Sequence, residues 1–220
     1  MIRLKNVSVY FGETAALYKI NLRIKKGEFV YIVGSSGAGK TTLLRTIYMD
    51  IIPNTGFVQF GKYNSETIKK RRIPYLRRRI GNVFQDFKLL EDRTILENAM
   101  FAVRVTGATV ITAKKRAIKA LTSVGLLAKK DKYPHELSGG ENQRACIARA
   151  LANDPVIILA DEPTGNLDLE TGKDIFKLLK KINENGTAVV TATHNYQIIN
   201  AFPGRIIFLE DGIQVEKSNE

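Results

Sequence analysis

Three short segments hold the residues best suited to chemistry. Gly34 to Thr42 read GSSGAGKTT, Leu159 to Pro163 read LADEP about 120 residues later, and Leu137 to Arg144 read LSGGENQR between them. In the first, glycines let the backbone N–H groups of Gly34, Ser35, Ser36, Gly37, Ala38 and Gly39 turn inward around phosphate oxygens. A helix that follows adds its positive N-terminal dipole. Lys40 is spaced to reach β- and γ-phosphates, the Thr41 hydroxyl to ligate Mg²⁺, and Thr42 to add a phosphate contact. A plain glycine-rich turn would not need Lys-Thr at this spacing.

The second segment ends an apolar run with two acids. In an α/β sheet the ligand crevice lies outside the carboxyl ends of the strands. There Asp161 can hold Mg²⁺ through water, and Glu162, pointing differently, can polarise an attacking water. The third segment is a capping box, Ser138 with Glu141 three residues on. Capping explains those two residues but not Gly139 and Gly140, which weaken a helix. Glycines at a helix start let a phosphate approach its free N–H groups. The third segment has no phosphate lysine of its own, so the three together imply an ATPase whose site is completed by a second copy of the chain.

The elements that must position these residues are legible around them. Phe29 to Val33 is a continuous apolar run typical of a strand buried on both faces, and a helix is expected over Lys40 to Tyr48. Met1 to Val9 and Asn21 to Lys25 alternate with period two. Gly56 to Phe60, Ile80 to Gln85, Val156 to Ala160, Thr187 to Thr193 and Arg205 to Leu209 are further strand candidates. From about Leu89 to Lys130 the pattern is helical, with a face at Ala117, Ile118, Ala120, Leu121 and Val124. Helices are also expected over Glu141 to Ala152 and Leu169 to Glu184, the latter capped by Asp168. The tail from Asp211 to Glu220 is polar and expected to fray.

Length and composition set the outer limits. With 220 residues, 44% hydrophobic and 25% charged, one domain with a modest insertion is expected. The one cysteine, Cys146, excludes an internal disulfide, suits a reducing compartment and reads as a packing residue. The N-terminus lacks a signal peptide's apolar centre, and no apolar run approaches the ~20 residues that span a bilayer. Any membrane role therefore needs a separate membrane partner. The net charge of +12 points to nucleic acid or an anionic membrane face. It is concentrated in Lys69 to Arg79, with seven basic residues in eleven and Tyr75 the one aromatic, a run that also reads simply as a solvated basic face. Of the two histidines, His135 reads as a surface or packing residue. His194 follows a strand at the same edge as the two acids and can hydrogen-bond a γ-phosphate.

Taken together, these segments resemble the ATP-binding-cassette (ABC) ATPases along essentially the whole chain. GSSGAGKTT and IILADEP match that family's Walker A and Walker B motifs, and LSGGE its signature. The resemblance implies a P-loop α/β core with a mostly parallel sheet, an N-terminal antiparallel β subdomain and an inserted α-helical subdomain. The core would take residues 1–86 and 156–220, and the helical part 87–155. It also implies that Gln85 is the Q-loop glutamine, a catalytic residue and Mg²⁺ ligand, and that Gly165 to Asp168 form the D-loop. His194 becomes the switch histidine, and Phe11, next to Tyr10, the aromatic that stacks on adenine. Such domains dimerise head to tail, which would place Ser138, Gly139 and Gly140 at the partner's ATP, with Asp168 of the D-loop a further nucleotide-binding residue.

Within the family, VFQDFKLLEDRTILENAMFAVRVTG and GNLD look most like the FtsE branch of bacterial cell division. Here Leu-Glu-Asp-Arg stands where that branch often has proline before the aspartate. Lipoprotein-release and macrolide-export ATPases share GNLD, and an exporter subunit is the alternative. The resemblance implies an FtsX-type membrane partner, peripheral association with the cytoplasmic face of the inner membrane, and no specific nucleic acid. Phe87, Leu89, Leu90 and Met100 are candidate groove residues for the partner, or core. A soluble nucleic-acid ATPase of this family would carry a long coiled coil between Gln85 and Ser138, which are only about fifty residues apart. An adaptor without turnover would not need Lys40, Asp161, Glu162 and His194 together.

Overall fold

The computed structural model describes residues 1–215. Two sheets pack around one of the two hydrophobic cores. The first is antiparallel, in the order β2-β1-β4-β5, built from β1 (Ile2–Phe11), β2 (Thr14–Ile24), β4 (Thr55–Phe60) and β5 (Tyr63–Asn64). The second runs β10-β9-β3-β8-β7-β6. Its strands are β3 (Phe29–Val33), β6 (Ile80–Val83), β7 (Ile157–Asp161), β8 (Ala188–Ala192), β9 (Arg205–Glu210) and β10 (Ile213–Val215). Every pairing in this sheet is parallel except that of β10 with β9.

β3 explains the layering. All five of its residues are buried, and because strand side chains alternate in direction they divide between two cores. Phe29, Tyr31 and Val33 face the core built with α5 (Gly139–Leu151) and α6 (Leu169–Glu184). Val30 and Ile32 face the core shared with α1 (Lys40–Ile47) and the antiparallel sheet. Tyr31 stacks on Phe176 at 6.1 Å and donates its hydroxyl hydrogen to the Phe202 carbonyl at 2.6 Å. Burial pushes its phenol well above the ordinary range. That bond ties the end of α7 (Tyr196–Ala201) to the sheet.

α3 (Ile95–Arg104), α4 (Val110–Ser123) and α5 pack on one another, and α5 also packs on β6. α3 starts with a full capping box, Thr94 with Glu97, and buried Asn98 bonds the Leu90 N–H and the carbonyls of Leu90, Arg93 and Thr94, fixing the loop before it. A short helix, α2 (Ile73–Arg77), lies inside the basic run, with only Leu76 of its residues buried. The tail also departs from expectation. Asp211 and Gly212 form a turn, and Ile213–Val215 return as β10; residues 216–220 lie outside the described residues. Cys146 is fully buried, as a packing residue should be.

Candidate functional site

Four neighbouring parallel strands end at one edge, and each delivers one expected group. β3 leads into the glycine loop, β8 into His194, β7 ends in Asp161 and Glu162, and β6 leads to Gln85. A cavity of about 550 Å³ opens there, lined by Ser35 to Gly37, Gly39 to Thr42, Gln85, both acids and His194. Ala38 is buried beneath the loop. Two glycines are required by close approach. A Cβ on Gly34 would stand 2.3 Å from the Leu209 carbonyl oxygen, and one on Gly39 (φ 97°) 2.5 Å from that of Ala16. The loop is thus wedged between β9 and β2. Ala16 lines the cavity as well, a position that no residue type in the sequence announces.

Lys40 is buried and already aimed. Its ammonium donates to the Gly34 and Ser35 carbonyls at 2.8 and 2.9 Å and stands 3.5 Å from Glu162 Oε1. The same Oε1 is 3.0 Å from His194 Nδ1. Glu162 takes φ 44°, a left-handed turn that costs a side-chain-bearing residue about 1–2 kcal/mol. Its N–H is held by the Ala192 carbonyl at 3.0 Å. This turn makes two adjacent acids point differently. Asp161 stays in the strand direction, where burial raises its pKa, the Thr41 hydroxyl bond opposes that rise, and the Glu162 charge adds to it. One carboxylate oxygen, Oδ1, is buried without a hydrogen-bond partner.

The Gln85 side chain is clasped by a residue absent from the expected set. Its Nε2 donates to Asn166 Oδ1 at 3.2 Å, and Asn166 Nδ2 donates to the Gln85 carbonyl at 3.3 Å. Room for this comes from Gly165, where a Cβ would stand 2.7 Å from Gln85 Nε2. The GNLD stretch was read as one loop; its separate job for Asn166 is visible only in three dimensions. Asn166→Ala is expected to lower ATP turnover roughly three- to tenfold by freeing Gln85, the scale of a lost net hydrogen bond or two. Nucleotide affinity should be unchanged. Steady-state phosphate release and nucleotide titration check this, and wild-type turnover would remove the positioning role.

Ser138, Gly139, Gly140, Asp168 and Phe11, all expected at a nucleotide, do not line the cavity. Ser138 caps α5, accepting from the Glu141 N–H at 3.3 Å and donating its own N–H to Glu141 Oε2 at 3.0 Å. Gly139 and Gly140 face the Leu167–Thr171 stretch, where a Cβ on Gly140 would stand 2.5 Å from Thr171 Cγ2. Those glycines therefore have a packing reason inside the chain, beyond access for a phosphate. Asp168 caps α6, accepting from the Thr171 N–H at 3.0 Å and hydroxyl at 2.6 Å, which holds its carboxyl below the usual range. Phe11 ends β1 in the β1–β2 hairpin, more than half exposed, with Tyr10 beside it. His135 is exposed and stacks on Tyr133.

Behind the site a groove of about 350 Å³ runs between β6, α3 and α5. Of the four candidate groove residues only Leu90 lines it. Leu89 is buried, and Phe87 and Met100 pack against the core. The apolar wall is instead half-buried Phe84 and exposed Phe101, and Arg149 of α5 reaches across to the Phe87 and Lys88 carbonyls.

Comparison with known proteins identifies the family and the fold. Residues 17–165 match the family described as ABC transporter. The chain is 47% identical over 216 residues to the cell division ATP-binding protein FtsE of Bacillus subtilis, covering 98% of this chain and 95% of that one. It is 41% identical to the protein of that name from Escherichia coli K12, covering 96% of each. Among solved structures it is similar to the ATP-binding cassette MJ0796 as a dimer in a post-hydrolysis state bound to ADP and Pi, with a TM-score of 0.88 and 40% identity over 99% of this chain and 98% of that one. A second, cbiO1 from Clostridium perfringens, gives a TM-score of 0.90 at 29% identity, over 99% and 88%.

Proposed function

This chain belongs to the ABC transporter family and is an FtsE-like ABC ATPase, and from that premise we propose that it drives a membrane partner in bacterial cell division through ATP-dependent closure of a head-to-tail dimer. The observation that carries the branch is 41–47% identity over nearly the full chain to proteins named FtsE in several bacteria. Among the described residues no helix is long and apolar enough to cross a membrane, which is consistent with a peripheral subunit on the cytoplasmic face of a separate membrane protein. Phe84 and Phe101 in the groove offer that protein an apolar seat.

The nucleotide's phosphates lie in the glycine loop. Lys40 exchanges its two carbonyl bonds for phosphate oxygens, a short movement because its ammonium already sits at the loop. Thr41, Gln85 and the unpartnered Oδ1 of Asp161 are hard oxygen donors that fit Mg²⁺, an ion that keeps several waters. When bound with the nucleotide, that ion neutralises charge on the phosphates. Glu162 accepts the proton of the attacking water as the bond to the γ-phosphorus forms and the bond to the ADP oxygen breaks. His194 holds Glu162 and reaches the γ-phosphate edge. Ser138, Gly139 and Gly140, outside the chain's own cavity, act on the partner's ATP. Phe11 is the adenine-stacking candidate, being exposed on the hairpin whose Ala16 borders the cavity.

Capture of the tagged full chain from its own membranes in detergent with ATP tests the assignment. A small four-helix membrane protein is expected in stoichiometric amount. Capture of an exporter with a solute pathway would favour the lipoprotein or macrolide branch instead, and stoichiometric RNA at physiological salt would overturn both.

A further inference from the structure

The basic run has a fixed shape. Leu76 is fully buried, and Arg77 is fastened to the end of α1, donating to the Tyr48 and Met49 carbonyls at 3.2 and 2.9 Å and pairing with Asp50 at 3.3 Å. One of the seven cations is therefore a structural pin. The others are presented outward: Lys69, Lys70, Arg71, Arg72 and Arg79 are exposed, and Arg78 is half-buried. Among the described residues none of these six makes an ion pair, and residues 51–85 contain one acid, Glu66. A surface of six charges without ion pairs among the described residues remains, on a segment anchored by Leu76 and Arg77.

Its neighbours say where it faces. Ile80, the residue after Arg79, lines the apolar groove. A second cavity of about 380 Å³ runs from Tyr48 and Asp50, where the pin is set, to Asn82, Phe84 and Lys88, which also line the groove. That cavity joins the groove to the end of α1 on which Arg77 pins the basic run. Tyr75 lies between Arg72 and Arg78, whose guanidinium carbons are 5.7 and 4.5 Å from its ring centre. The ring is about half exposed, but it is a single tyrosine, where a surface that stacks successive bases needs several aromatics.

We propose that the 69–79 surface rests on an anionic lipid bilayer, binding headgroup phosphates through Lys69, Lys70, Arg71, Arg72, Arg78 and Arg79. Its placement next to a membrane partner rests on the groove reading above; the charge and shape do not. Clustered Lys and Arg near a membrane are attracted to anionic leaflets by roughly fivefold in affinity per residue, and a helix pinned in advance loses little entropy on contact. Tyrosine at the headgroup level suits the same setting.

Flotation of the purified full chain with vesicles tests this without partner or turnover. Binding is expected to vesicles of phosphatidylglycerol in phosphatidylcholine and not to phosphatidylcholine alone. It should fall steeply as salt shortens the screening length from about 10 Å at 0.1 M to about 3 Å at 1 M. Lys70→Gln with Arg71→Gln should weaken it about thirtyfold with ATP turnover unchanged. The same neutralisation at Lys114 and Lys115, exposed on α4, should leave it within about twofold. No binding to anionic vesicles, or equal loss from the α4 pair, overturns the proposal. So does RNA capture at physiological salt that disappears with the 70/71 pair. Failure here with a membrane partner still captured would leave the functional reading intact.

Discussion

Glu162→Gln should lower ATP turnover by about 10²–10⁴-fold, roughly 3–5 kcal/mol of transition-state stabilisation, while ATP still binds and holds two chains together. Glutamine keeps the shape of glutamate, so the left-handed turn at φ 44° and the N–H bond to Ala192 survive. An amide oxygen can still face His194 Nδ1, 3.0 Å away in the parent. What disappears is the charge that accepts a proton from water. Lys40 bonds two main-chain carbonyls besides Glu162, so phosphate capture does not depend on the lost carboxylate. The dimer formed by ATP then has no fast route to release. Steady-state phosphate release measures the first effect, and gel filtration with ATP and with ADP the second, with dimer expected only in ATP. Turnover at the wild-type rate would sink the base assignment and move the role to His194.

What the sequence made legible, and what it hid, follows from the range of the interactions. The strand, loop and helix over 29–47 obey local rules: a doubly buried strand reads as unbroken apolar residues, and a phosphate loop needs glycine where Leu209 and Ala16 approach. The N-terminal hairpin was only half visible. Asn6 and Lys19 take φ of 49° each, at the irregularities that shift the β1–β2 register. Each bulge flips the inside-outside alternation, so period two fails over Ala15 to Ile20 although the strand continues. α7 has six residues, too few to show a helical period. The Asn166–Gln85 clasp joins residues 81 apart and is set by the order of β7 and β6 in the sheet, which no local pattern encodes. The tail was misjudged because β10 is three residues long and only its pairing with β9 makes it a strand.

Mixing Ser138→Arg with Lys40→Ala chains should restore activity that neither has alone. In a head-to-tail pair each site takes its glycine loop from one chain and its signature helix from the other. A heterodimer of these variants therefore has one site with both parts intact and one with neither. Random pairing makes roughly half the dimers mixed, so turnover should return to at most about a quarter of wild type. If one intact site cannot fire alone, adding Glu162→Gln to both chains still gives a readout. Differently tagged chains should then capture each other in ATP, with one trapped nucleotide per mixed pair against two in the parent Glu162→Gln dimer. Folding is not the obstacle: the loss of an N-cap costs about 1 kcal/mol against a domain stability of about 5–15 kcal/mol, and position 138 is exposed. Lys40→Ala removes three polar contacts of one side chain, two to carbonyls of the loop and one to Glu162, and so disables capture by that chain without touching its own Ser138. If each chain instead worked with its own signature helix, every subunit in the mixture would be broken. Turnover and cross-capture would both stay at the level of the separate variants, and the shared site would be ruled out.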